Sequence, residues 1–85
     1  MAKITMYSTQ VCPYCMMAER LLVSKGASVT EKILIDQDPV LREEMMSKTG
    51  RRTVPQIFID GIHVGGFDDL SALDRAGKLD PMLGK

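Results

Sequence analysis

Residues 56–64 constrain the fold most: Gln56-Ile57-Phe58-Ile59 and Ile62-His63-Val64 are two apolar runs separated only by Asp60-Gly61. A two-residue Asp-Gly loop suits a turn whose central residues take positive φ, and it joins antiparallel strands. The chain must therefore hold a hairpin toward its end, and the preceding residues must supply the rest of a sheet. Lys3-Ile4-Thr5-Met6-Tyr7 alternates polar and apolar residues as a half-buried strand does, and Ser8 to Val11 reads as a loop. Pro13 opens a helix, where its missing N–H costs nothing. Met17, Ala18, Leu21 and Leu22 recur along that helix at helical spacing, and Gly26 is placed to end it.

A second strand is predicted from about Val29 to Ile35, rich in β-branched residues. Asp38 then caps a helix that Pro39 starts, with Leu41 and Met45 on one face and Gly50 at its end. Strand, helix and strand in so short a span imply a right-handed crossover and a parallel pair. Beyond the hairpin, Gly65-Gly66 breaks the chain, and Leu70, Leu73 and Ala76 mark a third helix ending at Gly77. Lys78 to Lys85, which includes Pro81, carries no clear pattern. The order is βαβ then ββα: an α/β fold with one four-stranded mixed sheet and three helices.

At 85 residues, with no internal repeat or linker, residues 1–85 are expected to form a single domain. A chain this size buries only about 60% of its unfolded surface, so the core must be small. Hydrophobic residues make up 45% and charged residues 26%, the balance of a soluble globular protein. Eleven basic and eleven acidic residues cancel, leaving no global field to draw the chain onto nucleic acid or an anionic membrane. No apolar run approaches the roughly 18 residues of a membrane span. Met1 to Thr5 passes into a strand pattern without the apolar core of an export signal, so a cytoplasmic setting is expected. A monomer is also expected.

In a reducing compartment a cysteine pair is seldom a structural staple. The only two cysteines are Cys12 and Cys15, at the junction where the first strand's loop meets the helix opened by Pro13. A Cys-x-x-Cys unit beside a βαβ pattern reads as a thioredoxin-like redox motif. Only a thiolate attacks a disulfide. Cys12 lies where unpaired backbone N–H groups and the positive end of the helix dipole favour an anion, which makes it the candidate nucleophile. Cys15, one turn further on, is the candidate resolving thiol. Tyr14 offers a ring edge and a hydroxyl to a bound partner. A zinc site would need four ligands, and beyond the cysteines only His63 is a customary nitrogen donor, so no metal is expected.

Two further segments are candidates for binding. Pro55 in Thr53-Val54-Pro55 cannot donate to a central ladder, so this tripeptide reads as a loop before the third strand. Gly65-Gly66-Phe67-Asp68-Asp69 leads into the last helix, where glycines permit close approach and a carboxylate could pair with an ammonium; Asp at a helix start is otherwise an ordinary cap. The methionines, including Met16-Met17 and Met45-Met46, read as flexible core filling, Phe58 as core, and His63 as a surface strand residue.

Cys12-Pro13-Tyr14-Cys15, Thr53-Val54-Pro55 and Gly65-Gly66-x-Asp68-Asp69, in that order and spacing, resemble the dithiol glutaredoxins over nearly the whole chain. Glu43-Glu44-Met45 and Pro55-Gln56-Ile57-Phe58-Ile59-Asp60 are similar to the bacterial glutaredoxin 3 type. The resemblance implies a thioredoxin-like fold and a glutathione-dependent oxidoreductase that reduces protein disulfides and protein-glutathione mixed disulfides, with ribonucleotide reductase among the possible protein substrates. It also implies a cis Val54-Pro55 bond, with the Val54 backbone pairing with the cysteinyl unit of glutathione, Thr53, Pro55 and Gly66 beside it, Asp68 and Asp69 on its γ-glutamyl group, and Tyr14 at the groove's border. Arg42 falls where the family often places a polar side chain near the glycine carboxylate. One departure is Thr9, which stands where many members carry a lysine; Arg51 and Arg52 either replace that cation or form a solvated pair. Two alternatives share these signals: a redoxin fed by thioredoxin reductase, and a carrier of a [2Fe-2S] cluster bridged between two chains.

Overall fold

The structure, a computed structural model, describes residues 2–84. β1 (Ile4–Ser8), α1 (Pro13–Ser24), β2 (Glu31–Leu34), α2 (Pro39–Thr49), β3 (Gln56–Ile59), β4 (Ile62–Gly65), α3 (Phe67–Arg75) and α4 (Leu79–Met82) follow in chain order. The four strands form one sheet in the order β2-β1-β3-β4. β1 pairs in parallel with β2 and antiparallel with β3, and β3 pairs antiparallel with β4. This is the thioredoxin-like arrangement expected from βαβ followed by ββα. The hairpin turns as Asp60-Gly61 demands, with φ of 52° and 82° at its two central residues.

The sheet separates two layers of core. On one face Ile4, Met6, Ile57 and Ile59 meet Ala18 and Leu22 of α1, Leu70 of α3, and Leu79 and Leu83. On the other, Tyr7 and Ile35 meet Met45 of α2, with Phe58 partly buried against them. Each terminus of α2 follows its predicted chemistry: the Asp38 carboxylate accepts from the Val40 amide at 2.9 Å, and Gly50 closes the helix at a φ of 70°.

Four expectations need correction. β1 is not half-buried: as a central strand it is covered on both faces, and Ile4, Met6, Tyr7 and Ser8 are all buried. β2 is shorter than Val29 to Ile35 suggested, because only Glu31–Leu34 reaches β1. The unassigned tail contains α4, a single turn that sends Leu79 and Leu83 into the core. Met16 and Met17 are not core filling, for they lie 56% and 44% exposed on the side of α1 turned from the sheet; Met45, by contrast, is fully buried and Met46 packs against the same cluster.

Candidate functional site

The loop after β1 delivers Cys12 to the first turn of α1 with an extended backbone, φ −149° and ψ 99°, and Pro13 occupies the first helical position. Cys12 is the N-cap residue. Its Sγ accepts a hydrogen bond from the Cys15 amide at 3.2 Å, a role normally taken by a serine or aspartate oxygen. No acidic residue sits in this first turn to compete for the helix dipole. Cys12 and Cys15 are joined as a disulfide, with Cα atoms 5.2 Å apart and residue exposures of 8% and 4%.

Beside the cysteines runs a groove of about 370 Å³ lined by Tyr14, Arg51, Thr53, Val54, Pro55 and Gly66 to Asp69. Three sequence segments far apart in the chain thus converge, as the motif order implied. The Val54-Pro55 peptide bond is cis. Among the described residues neither backbone group of Val54 has a hydrogen-bond partner, so both are available to a peptide laid along the groove. Phe67 packs near Tyr14 with ring centroids 6.4 Å apart, adding an aromatic wall that sequence reasoning did not single out.

At the far end α3 begins on Gly66, and Asp69 reaches back to accept from the Gly66 amide at 2.9 Å, half of a capping box. The same Oδ2 accepts from Arg51 Nη1 at 2.7 Å. The Arg51 guanidinium and the Gly66 amide hold the Asp69 carboxyl below its ordinary value. Gly65 has φ +116°, and a Cβ there would strike the Asp69 carboxylate, so this cap requires glycine. A Cβ on Gly66 would lie 3.4 Å from the Pro55 carbonyl, in ordinary contact with it. Asp68, next to it, is exposed and faces the groove.

Arg42 is exposed on α2 and is not among the residues that line this groove. Arg51 does line the groove and pairs with Asp69, so it is not one of a solvated pair. The pairing of positions 51 and 69 is invisible in the sequence because it spans 18 residues across two loops. Thr9 donates to the Val11 carbonyl at 3.2 Å, so it stiffens the loop before Cys12 and brings no charge. His63 is half-buried and not a plain surface residue: its ring lies 5.0 Å from that of Phe58 and its Nε2 is bonded to Gln56. Among the described residues no cluster of three or more customary metal-ligating side chains occurs, and no helix is long and apolar enough to cross a membrane.

The family model described as Glutaredoxin matches residues 4–64. Glutaredoxin 3 of Escherichia coli K12 is 54% identical over 83 residues, covering 98% of this chain and 99% of that protein. A Pseudomonas aeruginosa glutaredoxin is 52% identical over 98% of each chain. Among solved structures, a buckwheat glutaredoxin-glutathione complex superposes with a TM-score of 0.89 at 35% identity, covering 98% of this chain and 77% of its own. A Brucella melitensis glutaredoxin superposes at 0.83 with 48% identity, over 98% of this chain and 91% of its own.

Proposed function

The chain belongs to the glutaredoxin family, and we propose that its glutathione-dependent thiol-disulfide exchange runs through the Cys12 thiolate, with Cys15 resolving and the adjacent groove holding glutathione. The observation that carries this assignment is the position of Cys12 Sγ as the cap of α1, accepting the Cys15 amide at 3.2 Å. An acceptor in that place is stabilised more as an anion than as a neutral thiol, so the pKa of the reduced Cys12 falls and the nucleophile is present near neutral pH.

On a protein-glutathione mixed disulfide, the Cys12 thiolate attacks the glutathione sulfur. A Cys12–glutathione disulfide forms and the protein leaves as its thiolate. A second glutathione thiolate then attacks the glutathione sulfur held by Cys12, giving oxidised glutathione and restoring Cys12. On a protein disulfide, Cys12 forms a mixed disulfide with the substrate and Cys15 displaces it. The substrate leaves as a dithiol and the enzyme is oxidised to Cys12–Cys15, which two glutathiones then reduce.

Glutathione fits the groove by its own chemistry. The unpaired backbone of Val54 matches its cysteinyl unit in extended pairing, with Thr53, Pro55, Gly66 and Tyr14 around it. Its α-ammonium is placed at Asp68, with Asp69 fixing the helix start and adding negative potential. Arg51, and not Arg42, supplies the cation within reach of a ligand carboxylate. A buckwheat relative is a glutaredoxin-glutathione complex, which supports this ligand here. Protein disulfides and glutathionylated proteins, ribonucleotide reductase among them, are the proposed substrates. The cytoplasm, whose glutathione pool keeps thiols reduced, is the compartment this chemistry suits.

The test is reduction of a glutathionylated peptide by glutathione coupled to glutathione reductase, with wild type and Cys15→Ser. Turnover by both supports the assignment. Reduction with thioredoxin reductase but none with glutathione would overturn it.

A further inference from the structure

We infer that His63 is a positioning residue for glutathione, acting through the buried amide of Gln56 on the Thr53–Val54 backbone; this rests on the proposed use of that backbone by glutathione. Gln56 is the first residue of β3, follows cis-Pro55 directly, and is 0% exposed. A primary amide in such a place must have both ends bonded. Its Nε2 donates to the Thr53 carbonyl at 2.9 Å and lies 3.4 Å from the Thr53 hydroxyl. A carbonyl has no proton to give, so the end of the amide facing Thr53 must be nitrogen. The oxygen must then face β4, where His63 Nε2 stands 2.8 Å from it.

That geometry dictates the state of the histidine. Gln56 Oε1 only accepts, so His63 Nε2 must carry a hydrogen, which in the neutral ring leaves Nδ1 bare. The ring is held in place by Phe58, its register partner across the hairpin, with the planes inclined by 35°. Two hydrogen bonds thus run in one direction, from His63 to Gln56 and from Gln56 to Thr53. Their end point is the Thr53 carbonyl, one residue before the unpaired backbone of Val54. Losing the His63 donor would strand the buried Oε1 of Gln56, and its relief, a shift of the side chain toward water, pulls Nε2 off the Thr53 carbonyl and releases the loop. His63 makes no hydrogen bond to either cysteine, so its influence falls on binding and not on the thiolate.

The experiment compares wild type, His63→Phe and His63→Gln as full chains in steady state with a glutathionylated peptide. Phenylalanine keeps a ring against Phe58 without a donor, whereas glutamine places an amide N–H near the position of Nε2. We expect His63→Phe to raise KM roughly five- to tenfold, the effect of one lost buried hydrogen bond, with kcat and the alkylation rate of Cys12 unchanged. His63→Gln should restore KM to within about twofold of wild type by supplying the donor again. Long-range proton–nitrogen NMR on the unmodified protein should show the hydrogen of neutral His63 on Nε2. A proton on Nδ1 instead, or a KM for His63→Phe equal to that of an active wild type, would overturn the relay alone. A wild type inactive with glutathione would overturn both the relay and the reading on which it rests.

Discussion

α1 and α2 begin in nearly the same way and serve opposite ends. Each has proline at its first position and an extended cap residue, Cys12 at φ −149° and Asp38 at φ −157°, whose side chain accepts a backbone amide of the first turn. At α2 the acceptor is a carboxylate oxygen, and the arrangement only stabilises a helix. At α1 the acceptor is sulfur, and we propose that the electrostatics that suit a carboxylate at Asp38 make this thiol acidic when reduced. On the proposed assignment, the difference teaches that the nucleophilic cysteine needs no dedicated base: a helix start of ordinary construction would activate it, once the cap residue is a thiol.

The comparison can be broken most sharply at Cys12. Cys12→Ser keeps an acceptor at the cap but removes the proposed nucleophile, so turnover should fall at least about a thousandfold while the far-ultraviolet circular dichroism stays that of wild type. Cys15→Ser, by contrast, should keep deglutathionylation within about threefold and lose reduction of protein disulfides, because only the latter needs a resolving thiol. Next in size, Asp68→Asn should raise KM for glutathionylated peptide about fivefold with kcat unchanged, since it removes a charge from the groove and touches neither cysteine. Asp38→Ala should cost about 1 kcal/mol in urea unfolding and leave kcat/KM unaltered, which separates a cap that only stabilises from one that reacts.

The smallest effect concerns Asp69, whose folded carboxyl is held below its ordinary 3.8 by Arg51 and the Gly66 amide. A depressed value means that its stabilisation is fully present above 3.8 and is lost as pH falls through the folded value. Asp69→Asn should therefore unfold slightly more easily than wild type at neutral pH, and the gap should narrow as acid is added below about pH 4. A gap that widens on acidification would mean that the ion pair with Arg51 is not what Asp69 contributes.

The features legible in the sequence were those whose cause is local. Asp60-Gly61 specifies its turn through two positive φ values, Cys12-Pro13 and Asp38-Pro39 specify helix starts, and the alternation before Ser8 specifies a strand. What escaped depends on partners distant in the chain. Helical spacing at Met17, Ala18, Leu21 and Leu22 identifies a helix but not the side that remains open, so the exposure of Met16 and Met17 could not be read from it. α4 is one turn long and contains Pro81, below the length at which a pattern shows. Within the site, the three motifs line one groove, yet the Arg51–Asp69 pair and the His63–Gln56–Thr53 chain each join residues that only the β3–β4 hairpin and the start of α3 bring together. The two buried ends of Gln56 carry the same lesson: a polar residue inside a strand run signals partners without naming them.

The central claim is that the α1 cap lowers the pKa of Cys12, and the most direct measurement is the pH dependence of Cys12 alkylation in reduced Cys15→Ser protein. The account predicts a half-maximal rate at a pH within about 3.5–7.5, the range of cysteines at helix starts and in Cys-x-x-Cys sites. A midpoint at or above about 8.5, the value of a free cysteine, would contradict it.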